Sequence, residues 1–378
     1  MISMSYDLAT LPINALLRPI SDAGIALARL DERIARSPVG AGWIERMHFA
    51  DACASLWIDG ELVHLEDLVL HDATKDVRTP THELTIARDV LKTRRRIAAQ
   101  PTGWALSPEG LRSLRGQAPP ASHGADSTVA IDAVAPDVGT VGGGEGEEDD
   151  DAGPLAEEFA AIDAVLARSD AAIEQARAPR LAGARERDPL VYDLDWDEDE
   201  RLEEWRGIVR QTQDLPAVLQ AIVALDAWNF LSVLQHASWL GRLLAAAILR
   251  QAGITSGAHL AAINLGLKTI PVDRRRHRDR EIRLLAIAQG LIGAAEIGMK
   301  EHDRLALARQ MMDRKLEGRR ISSKLPELVE LVMAKPLVSA GMVANTLDVT
   351  PQAARRIVLE LGLREMTGRG RFRAWGVL

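Results

Sequence analysis

The sequence predicts an all-α protein, with a body of many helices followed by a small C-terminal module that carries a short β ribbon. Alanine, leucine and arginine are abundant, and all three favour helices. Only 2 Tyr and 4 Phe occur among 378 residues, which is typical of a helical body. Apolar residues recur at helical spacing through most of the chain, and the main strand-like stretches lie in residues 363–367 and 372–375.

Length and composition limit the classes of function. A chain of 378 residues can form two or three domains with a sizeable core. Its 46 basic and 54 acidic residues give a net charge of −8, so any contact with DNA must come from a local basic surface. Cys53 is the one cysteine, which excludes an intramolecular disulfide and suits a reducing cytoplasm. Since neither a leader peptide nor a run of about 18 apolar residues is found, we expect a cytoplasmic protein without a membrane partner.

Residues 1–115 are predicted to form an N-terminal helical region. After a proline-rich entry, apolar residues at helical spacing, with an acid near the start and arginine at the end, indicate the first helix. A basic run at residues 92–96 is interpreted as a solvated helix end rather than a nucleic-acid site. The helices predicted in this region cover residues 21–36, 43–58, 62–70 and 80–99.

Residues 116–154 interrupt the helical pattern and are predicted to form a disordered linker. The segment is rich in glycine, proline, alanine and acids, and six acids fall within residues 145–151. It lacks the apolar periodicity that would offset the entropy cost of ordering. An alternative function is that these acids cover the basic ribbon when DNA is absent, which rests on the sign of the charge alone.

Residues 155–316 resume the helical pattern and are predicted to form the core domain. Residues 228–251 are the most apolar helical stretch and are expected at its centre. An arginine-rich segment at 271–280 either contacts phosphates or pairs with the acidic helix at 193–204, and we prefer the second interpretation. The predicted helices of this region are 155–176, 193–210, 215–225, 228–251, 256–267, 282–299 and 303–316.

Residues 317–378 carry the most specific pattern in the chain. A connector at 317–323 and a first helix at 324–335 are followed by Ser339, which is placed to cap a second helix. The residues at 347–349 predict a tight turn after that helix. The apolar face of the second helix comprises Met342, Val343 and Leu347, with the small Ala344 beside them.

A third helix follows the turn. Thr350 is placed to cap it, Pro351 lies in its first turn where no amide donor is lost, and Gly362 ends it. Two short strands then flank residues 368–371. Helix, turn, helix and ribbon together form the winged helix-turn-helix pattern. The inward stripe of the third helix is Ala354, Ile357, Val358 and Leu361.

The side chains on the outer surface of this module indicate double-stranded DNA as its partner. Three polar side chains face solvent on the third helix, where Gln can pair with adenine edges and Arg with guanine edges. Arginines at the ribbon tip suit phosphates or a minor groove, and from residue 350 onward six Arg against two Glu make the module basic. The alternative is a winged helix used only for protein contacts. The residues predicted to bind DNA are Thr350, Gln352, Arg355, Arg356, Arg369, Arg371 and Arg373.

The chain carries no signature of a catalytic, cofactor or metal site. There is no phosphate-binding loop and no nucleophile elbow, and the glycine run at 142–146 lies in the predicted linker rather than between a strand and a helix. The 9 His show no metal-ligand spacing with cysteine, and His64 and His71 have no third ligand nearby. We therefore predict no catalytic residue, no cofactor and no metal.

Two stretches resemble a known enzyme family, the Fic-type nucleotidyltransferases. Residues 55–60, SLWIDG, resemble the Ser-x-x-x-Glu-Gly inhibitory helix of that family, with Asp59 in place of the glutamate. Residues 230–253 resemble its core helix, and GRLL at 241–244 matches the end of its catalytic motif. Many Fic-type proteins also end in a winged helix, so the order of the parts agrees.

This resemblance implies that the fold is kept and the reaction is lost. The position of the catalytic histidine falls on Leu231, which has no lone pair to accept the proton of an incoming hydroxyl. The motif asparagine falls on Ala237 and the first phosphate-binding arginine on Trp239, so Arg242 alone of the functional set is kept. We therefore expect no enzyme. The layout also resembles an uncharacterised bacterial family that pairs a domain of unknown function with a C-terminal helix-turn-helix.

These observations predict a cytoplasmic DNA-binding protein that acts as a transcriptional regulator, with a helical body that forms a homodimer or senses a signal. Two alternatives stay open. In the first, the body is a Fic-type nucleotidyltransferase or nucleotide-binding protein with a non-standard motif, which rests on Arg242 and residues 55–60. In the second, the chain is a protein-interaction scaffold.

Overall fold

Helices make up most of the fold. A computed structural model describes residues 6–73, 79–116, 196–256, 259–317, 324–367 and 373–377. Within these residues the protein is mostly helical, with one small three-stranded sheet in the C-terminal region, so the predicted fold class is confirmed. Most of the predicted linker at 116–154, the predicted helix at 155–176 and most of the connector at 317–323 lie outside the described residues.

The described elements occur in three groups along the chain. The first group is α1 (Ile13–Ala35), α2 (Gly40–Asp59), α3 (Leu65–Asp72), α4 (His82–Ala99) and α5 (Pro108–Leu114). The second group is α6 (Glu198–Gln211), α7 (Ala217–Leu231), α8 (Ser238–Gln251), α9 (Ile263–Lys268), α10 (Val272–Arg275) and α11 (Arg280–Leu316). The third group is α12 (Leu325–Ala334), β1 (Val338–Ser339), α13 (Ala340–Leu347), α14 (Pro351–Leu361), β2 (Arg364–Glu365) and β3 (Ala374–Gly376).

Helix α1 begins at Ile13, well before the predicted start at residue 21. The earlier turns already bury Leu16 and Ile20, so the inward face of the helix extends through the segment that the sequence analysis treated as an entry loop. Pro19 lies inside the helix and removes one backbone hydrogen bond there. Burial of the flanking apolar side chains offsets that local cost.

The apolar stretch at 228–251 is two helices, so its prediction as one was wrong. Helix α7 ends at Leu231, and Ser232 adopts a left-handed backbone conformation with φ 47°. Helix α8 then begins at Ser238. Both helices are almost wholly apolar, which hides the break from a periodicity argument. The helix predicted at 256–267 is likewise reduced, within the described residues, to α9.

The two helices predicted at 282–299 and 303–316 are one continuous helix, α11, of 37 residues. The polar residues between the predicted segments do not interrupt it. His302, in that interval, is buried and its Nε2 lies 2.8 Å from the hydroxyl of Ser37. Residues such as lysine, glutamate and histidine are compatible with a helix interior, so their polarity did not mark a boundary.

Helix α11 packs closely against its neighbours. A Cβ at Gly266 of α9 would lie 1.8 Å from the carbonyl oxygen of Gly290, so only glycine fits this crossing. The indole of Trp43 donates to the carbonyl oxygen of Gly298 at 2.9 Å. Within the described residues, α11 is the helix long and apolar enough to cross a membrane by length and composition, and half of its most apolar window is buried inside the protein. The core helix of a soluble protein meets the same criterion.

Helix α2 buries polar side chains together with apolar ones. Arg94 of α4 is fully buried, and its Nη1 donates to Oδ2 of Asp51 at 2.5 Å. Asn264 donates to the same oxygen at 2.7 Å, and the backbone N–H of Leu265 donates to Oδ1 at 2.9 Å. The single carboxylate of Asp51 therefore joins α2 to both α4 and α9.

The sheet has the strand order β1-β3-β2 and is antiparallel throughout. Trp375 of β3 lies opposite Val338 of β1 and Glu365 of β2. The two ribbon strands were predicted from the sequence, whereas β1, which has only two residues, was not. Because β1 immediately precedes α13, the sheet fixes the start of the helix-turn-helix.

Candidate nucleic-acid interface

Helix α13 begins where the sequence predicted. The hydroxyl of Ser339 accepts a hydrogen bond from the backbone N–H of Met342 at 3.2 Å, which caps the helix. The inward face is apolar and packs into the core of the protein. The buried residues of this face are Val343, Ala344 and Leu347.

The turn between α13 and α14 depends on one residue in the left-handed region. Asp348 has φ 51° and ψ 56°, and its backbone N–H donates to the carbonyl oxygen of Ala344. The N–H of Val349 donates to the same oxygen at 3.0 Å. Aspartate tolerates this conformation better than most residues, so the predicted tight turn forms without glycine.

Helix α14 has both ends fixed by its own sequence. The hydroxyl of Thr350 accepts from the N–H of Ala353 at 3.2 Å, and Pro351 occupies the first turn. Gly362, with φ 73°, ends the helix in a left-handed cap. These features were all predicted. The residues that α14 buries are Ala354, Val358 and Leu361, and Ile357 is half-buried.

The outer face of α14 is polar and exposed. Gln352, Arg355 and Arg356 are all exposed, and within the described residues their side chains form no hydrogen bond or ion pair. The structure therefore brings together three of the predicted site residues on one helix surface. Their contact with DNA stays a prediction.

The ribbon residues are described only in part. Arg373 is exposed, and its Nε lies 3.6 Å from Oε1 of Glu365 on the neighbouring strand. An exposed pair of this kind contributes little to stability, so Arg373 can exchange it for a phosphate at small cost. Arg369 and Arg371 lie outside the described residues.

A buried arginine that the sequence analysis missed holds the module on the body. Arg46 of α2 donates from Nη2 to the carbonyl oxygens of Val332 and Lys335, at 2.7 and 2.9 Å. These carbonyls end α12 and have no partner within that helix, so the cation caps the negative end of the helix dipole. Burial lowers the pKa of Arg46 to about 10. No local signal distinguishes this arginine from a surface one.

Close backbone contact and the ion pairs of Glu45 also stabilise this junction. A Cβ at Gly42 would lie 2.1 Å from the carbonyl oxygen of Met333, so α2 and α12 touch where only glycine fits. The carboxylate of Glu45 accepts from Lys335 Nζ at 3.0 Å and from Arg95 Nη2 at 2.5 Å. Burial alone would raise the pKa of Glu45, but hydrogen bonds from Arg95 and then Lys335 bring it below its usual value.

Helix α11 fixes the module from a second side. Arg309 Nη2 lies 2.7 Å from Oε1 of Glu330 on α12. Lys315 Nζ donates to the carbonyl oxygen of Leu361 at 2.8 Å, at the C-terminal end of α14. The core cluster of apolar residues also runs without interruption from the body into the module. The orientation of α14 is therefore set by the body, while its outer face stays open.

In the region that resembles the Fic-type motif, the one kept arginine, Arg242, is buried and bound by side chains of α2. Arg242 binds Asp59 with both terminal nitrogens, at 3.1 and 2.6 Å, and Nη2 also donates to Ser55 Oγ at 2.9 Å. Leu231 is buried in the core, and Trp239 is half-buried against it. Ala237 is also half-buried against the core. The guanidinium of Arg242 is thus already paired with a carboxylate.

Within the described residues, Arg280 of the arginine-rich segment has its Nε 3.7 Å from Oδ2 of Asp226 on α7, and Arg283, just after the segment, has its Nε 2.9 Å from Oδ1. On the acidic helix, Glu203 pairs with arginines of its own helix. None of these ion pairs is the pairing between the segment and the acidic helix that we preferred. Across the described residues no group of three or more His, Cys, Asp or Glu is arranged to hold a metal ion.

Two protein-family models match separate parts of the chain. Residues 325–378 match the model of an HTH DNA binding domain. Residues 190–317 match the model of a protein of unknown function, DUF1612. The chain is 74% identical, over 99% of its own length and 100% of the other, to "Uncharacterized protein y4cF" of Sinorhizobium fredii (strain NBRC 101917 / NGR234).

The chain belongs to the same protein family as y4cF. Its C-terminal module is a helix-turn-helix DNA-binding domain, which makes DNA its expected partner. The predicted layout, a domain of unknown function followed by a helix-turn-helix, is confirmed. The resemblance to Fic-type proteins and the exact domain boundaries stay predictions.

Replacing Arg46 tests whether the junction positions the module. In Arg46→Ala, two carbonyl groups at the end of α12 lose a charged donor, so we expect the free energy of unfolding to fall by about 2 kcal/mol or more. Urea unfolding followed by circular dichroism measures it. Arg18→Ala is the matched control, because Arg18 is 92% exposed and forms only a surface pair. Equal stability of the two variants would show that the Arg46 cap does not hold the junction.

Proposed function

We propose that this chain is a sequence-specific DNA-binding protein that acts in the cytoplasm as a transcriptional regulator. One observation carries the proposal. Helix α14, capped at both ends, turns Gln352, Arg355 and Arg356 to solvent without partners in the described residues. These exposed side chains are satisfied by water and can exchange it for a polar ligand, and an HTH DNA binding domain matches this segment.

The chemistry of these side chains suits base edges in a major groove. Glutamine can bind adenine with two hydrogen bonds, and arginine can bind guanine in the same way. In helix-turn-helix proteins the second helix of the motif enters the groove and its N-terminal residues contact bases. Gln352 lies in the first turn of α14, and the two arginines lie in the next.

The body supplies the orientation of α14 in this proposal. Arg46 from α2 binds the C-terminal end of α12 and Lys315 from α11 binds the C-terminal end of α14, so α14 moves with the helices that hold it. A homodimer on a two-fold symmetric site would place two such helices about one DNA turn, or about 34 Å, apart. A signal that shifts α2 or α11 would then change the fit of both helices to DNA.

We propose further that the body is not a nucleotidyltransferase. The bidentate pairing of Arg242 with Asp59 and the burial of Leu231 support this, because neither a free phosphate-binding cation nor a general base remains at those positions. Incubation of the purified protein with labelled ATP is the test, and we expect no label on the protein. Label transfer that Arg242→Ala abolishes would overturn this part of the proposal.

The double variant Arg355→Ala/Arg356→Ala tests the DNA-binding face directly. We expect at least about a fivefold loss of affinity for a duplex selected from random sequence, since one bidentate base contact contributes about 1–3 kcal/mol. Titration at several salt concentrations should also show a shallower salt dependence if either arginine contacts a phosphate. Fluorescence anisotropy measures both quantities.

A matched control removes the same charge elsewhere. Arg304→Ala/Arg314→Ala deletes two exposed arginines of α11, and we expect affinity near that of the unmodified protein. If both double variants bind alike, with equal salt slopes, α14 does not dock on DNA as proposed.

A further inference from the structure

One large apolar side chain on α14 faces solvent. Leu359 is 68% exposed, whereas the other leucine of the helix, Leu361, is 1% exposed. The amphipathic pattern of α14 therefore accounts for Leu361 but not for Leu359. Single exposed leucines are common on protein surfaces, so the significance of Leu359 depends on its position on the helix.

Leu359 lies on the same side of α14 as the exposed polar residues. Leu359 comes seven positions after Gln352. At about 100° per residue this is close to two full turns, so the two side chains lie within about 20° of each other around the helix axis. They are about 10.5 Å apart along the helix. Arg356 lies between them on the same side and is also exposed. Leu359 therefore continues the row of side chains that the proposed function assigns to DNA.

The major groove offers one apolar feature to such a side chain. Each thymine presents its C5-methyl group there, and apolar side chains recognise that methyl. A leucine cannot form a hydrogen bond to a base, so a polar base edge opposite Leu359 would lose its water without compensation. The two arginines beside this row favour an anionic partner over an apolar protein surface.

We propose that Leu359 determines specificity by packing against a thymine methyl group in the major groove. The proposal rests on the proposed function and deepens it. Because the two side chains are about 10.5 Å apart along α14, this thymine lies at a different base pair from the one contacted by Gln352. The binding site then contains an A·T pair of fixed orientation at that step.

Thymine and deoxyuridine differ only in the methyl group, which gives a direct test. A duplex is first selected from random sequence with the full-length protein, and each thymine is then replaced singly by deoxyuridine. For the unmodified protein we expect one replacement to weaken binding about fourfold, as burial of one methyl-sized group predicts. For Leu359→Ala we expect weaker binding to the thymine duplex and no further loss with deoxyuridine at that position.

Two other variants complete the experiment. Leu359→Met keeps an apolar side chain of similar size and should retain the sensitivity to the methyl group. Leu307→Ala removes a comparable leucine, 58% exposed on α11, and should behave as the unmodified protein. Thermal unfolding of each variant checks that the fold is intact, which the exposure of both positions leads us to expect.

The outcomes separate this inference from the proposed function. If the unmodified protein selects no duplex, the proposed function fails. If it binds DNA but no single deoxyuridine weakens binding, or Leu359→Ala keeps the same sensitivity, the thymine contact is wrong. If Leu359→Ala instead lowers the oligomeric state without DNA, in sedimentation, Leu359 belongs to a protein interface and the inference is overturned.

Discussion

The burial of helix α2 among other helices constrains most of the structure. A polar side chain inside a protein must find a partner, because its interaction with water is lost. In helix α2 the buried Arg46 binds the end of α12 and the buried Asp51 binds Arg94, while the more exposed Asp59 binds the buried Arg242. One helix thereby links the N-terminal region, the core helices and the C-terminal module.

In this arrangement the two faces of α14 have different environments. Its inward face packs into a core shared with the body, and Lys315 binds its last turn. Its outward face has neither constraint, and Gln352, Arg355 and Arg356 are exposed there for contact with a ligand. A rigidly held helix with an unoccupied polar face loses little conformational freedom on binding, which favours affinity.

Sequence reasoning succeeded where structure is set locally. The caps at Thr350 and Gly362 and the exposed arginines of α14 follow from residues close together in the chain. It did not identify features that depend on a distant partner: β1 exists because β3 pairs with it, and the burial of His302 depends on Ser37 from another part of the chain. Arg46 belongs to the same class, because nothing near it in the sequence shows that α12 ends against it.

The structure of the full-length protein bound to a selected duplex tests the central claim most directly. We expect α14 in the major groove, with the Gln352 and Arg355 side chains within hydrogen-bond distance of base edges and α12 still capped by Arg46. A complex in which α14 faces solvent or another protein chain, while a different surface contacts the DNA, would contradict this account.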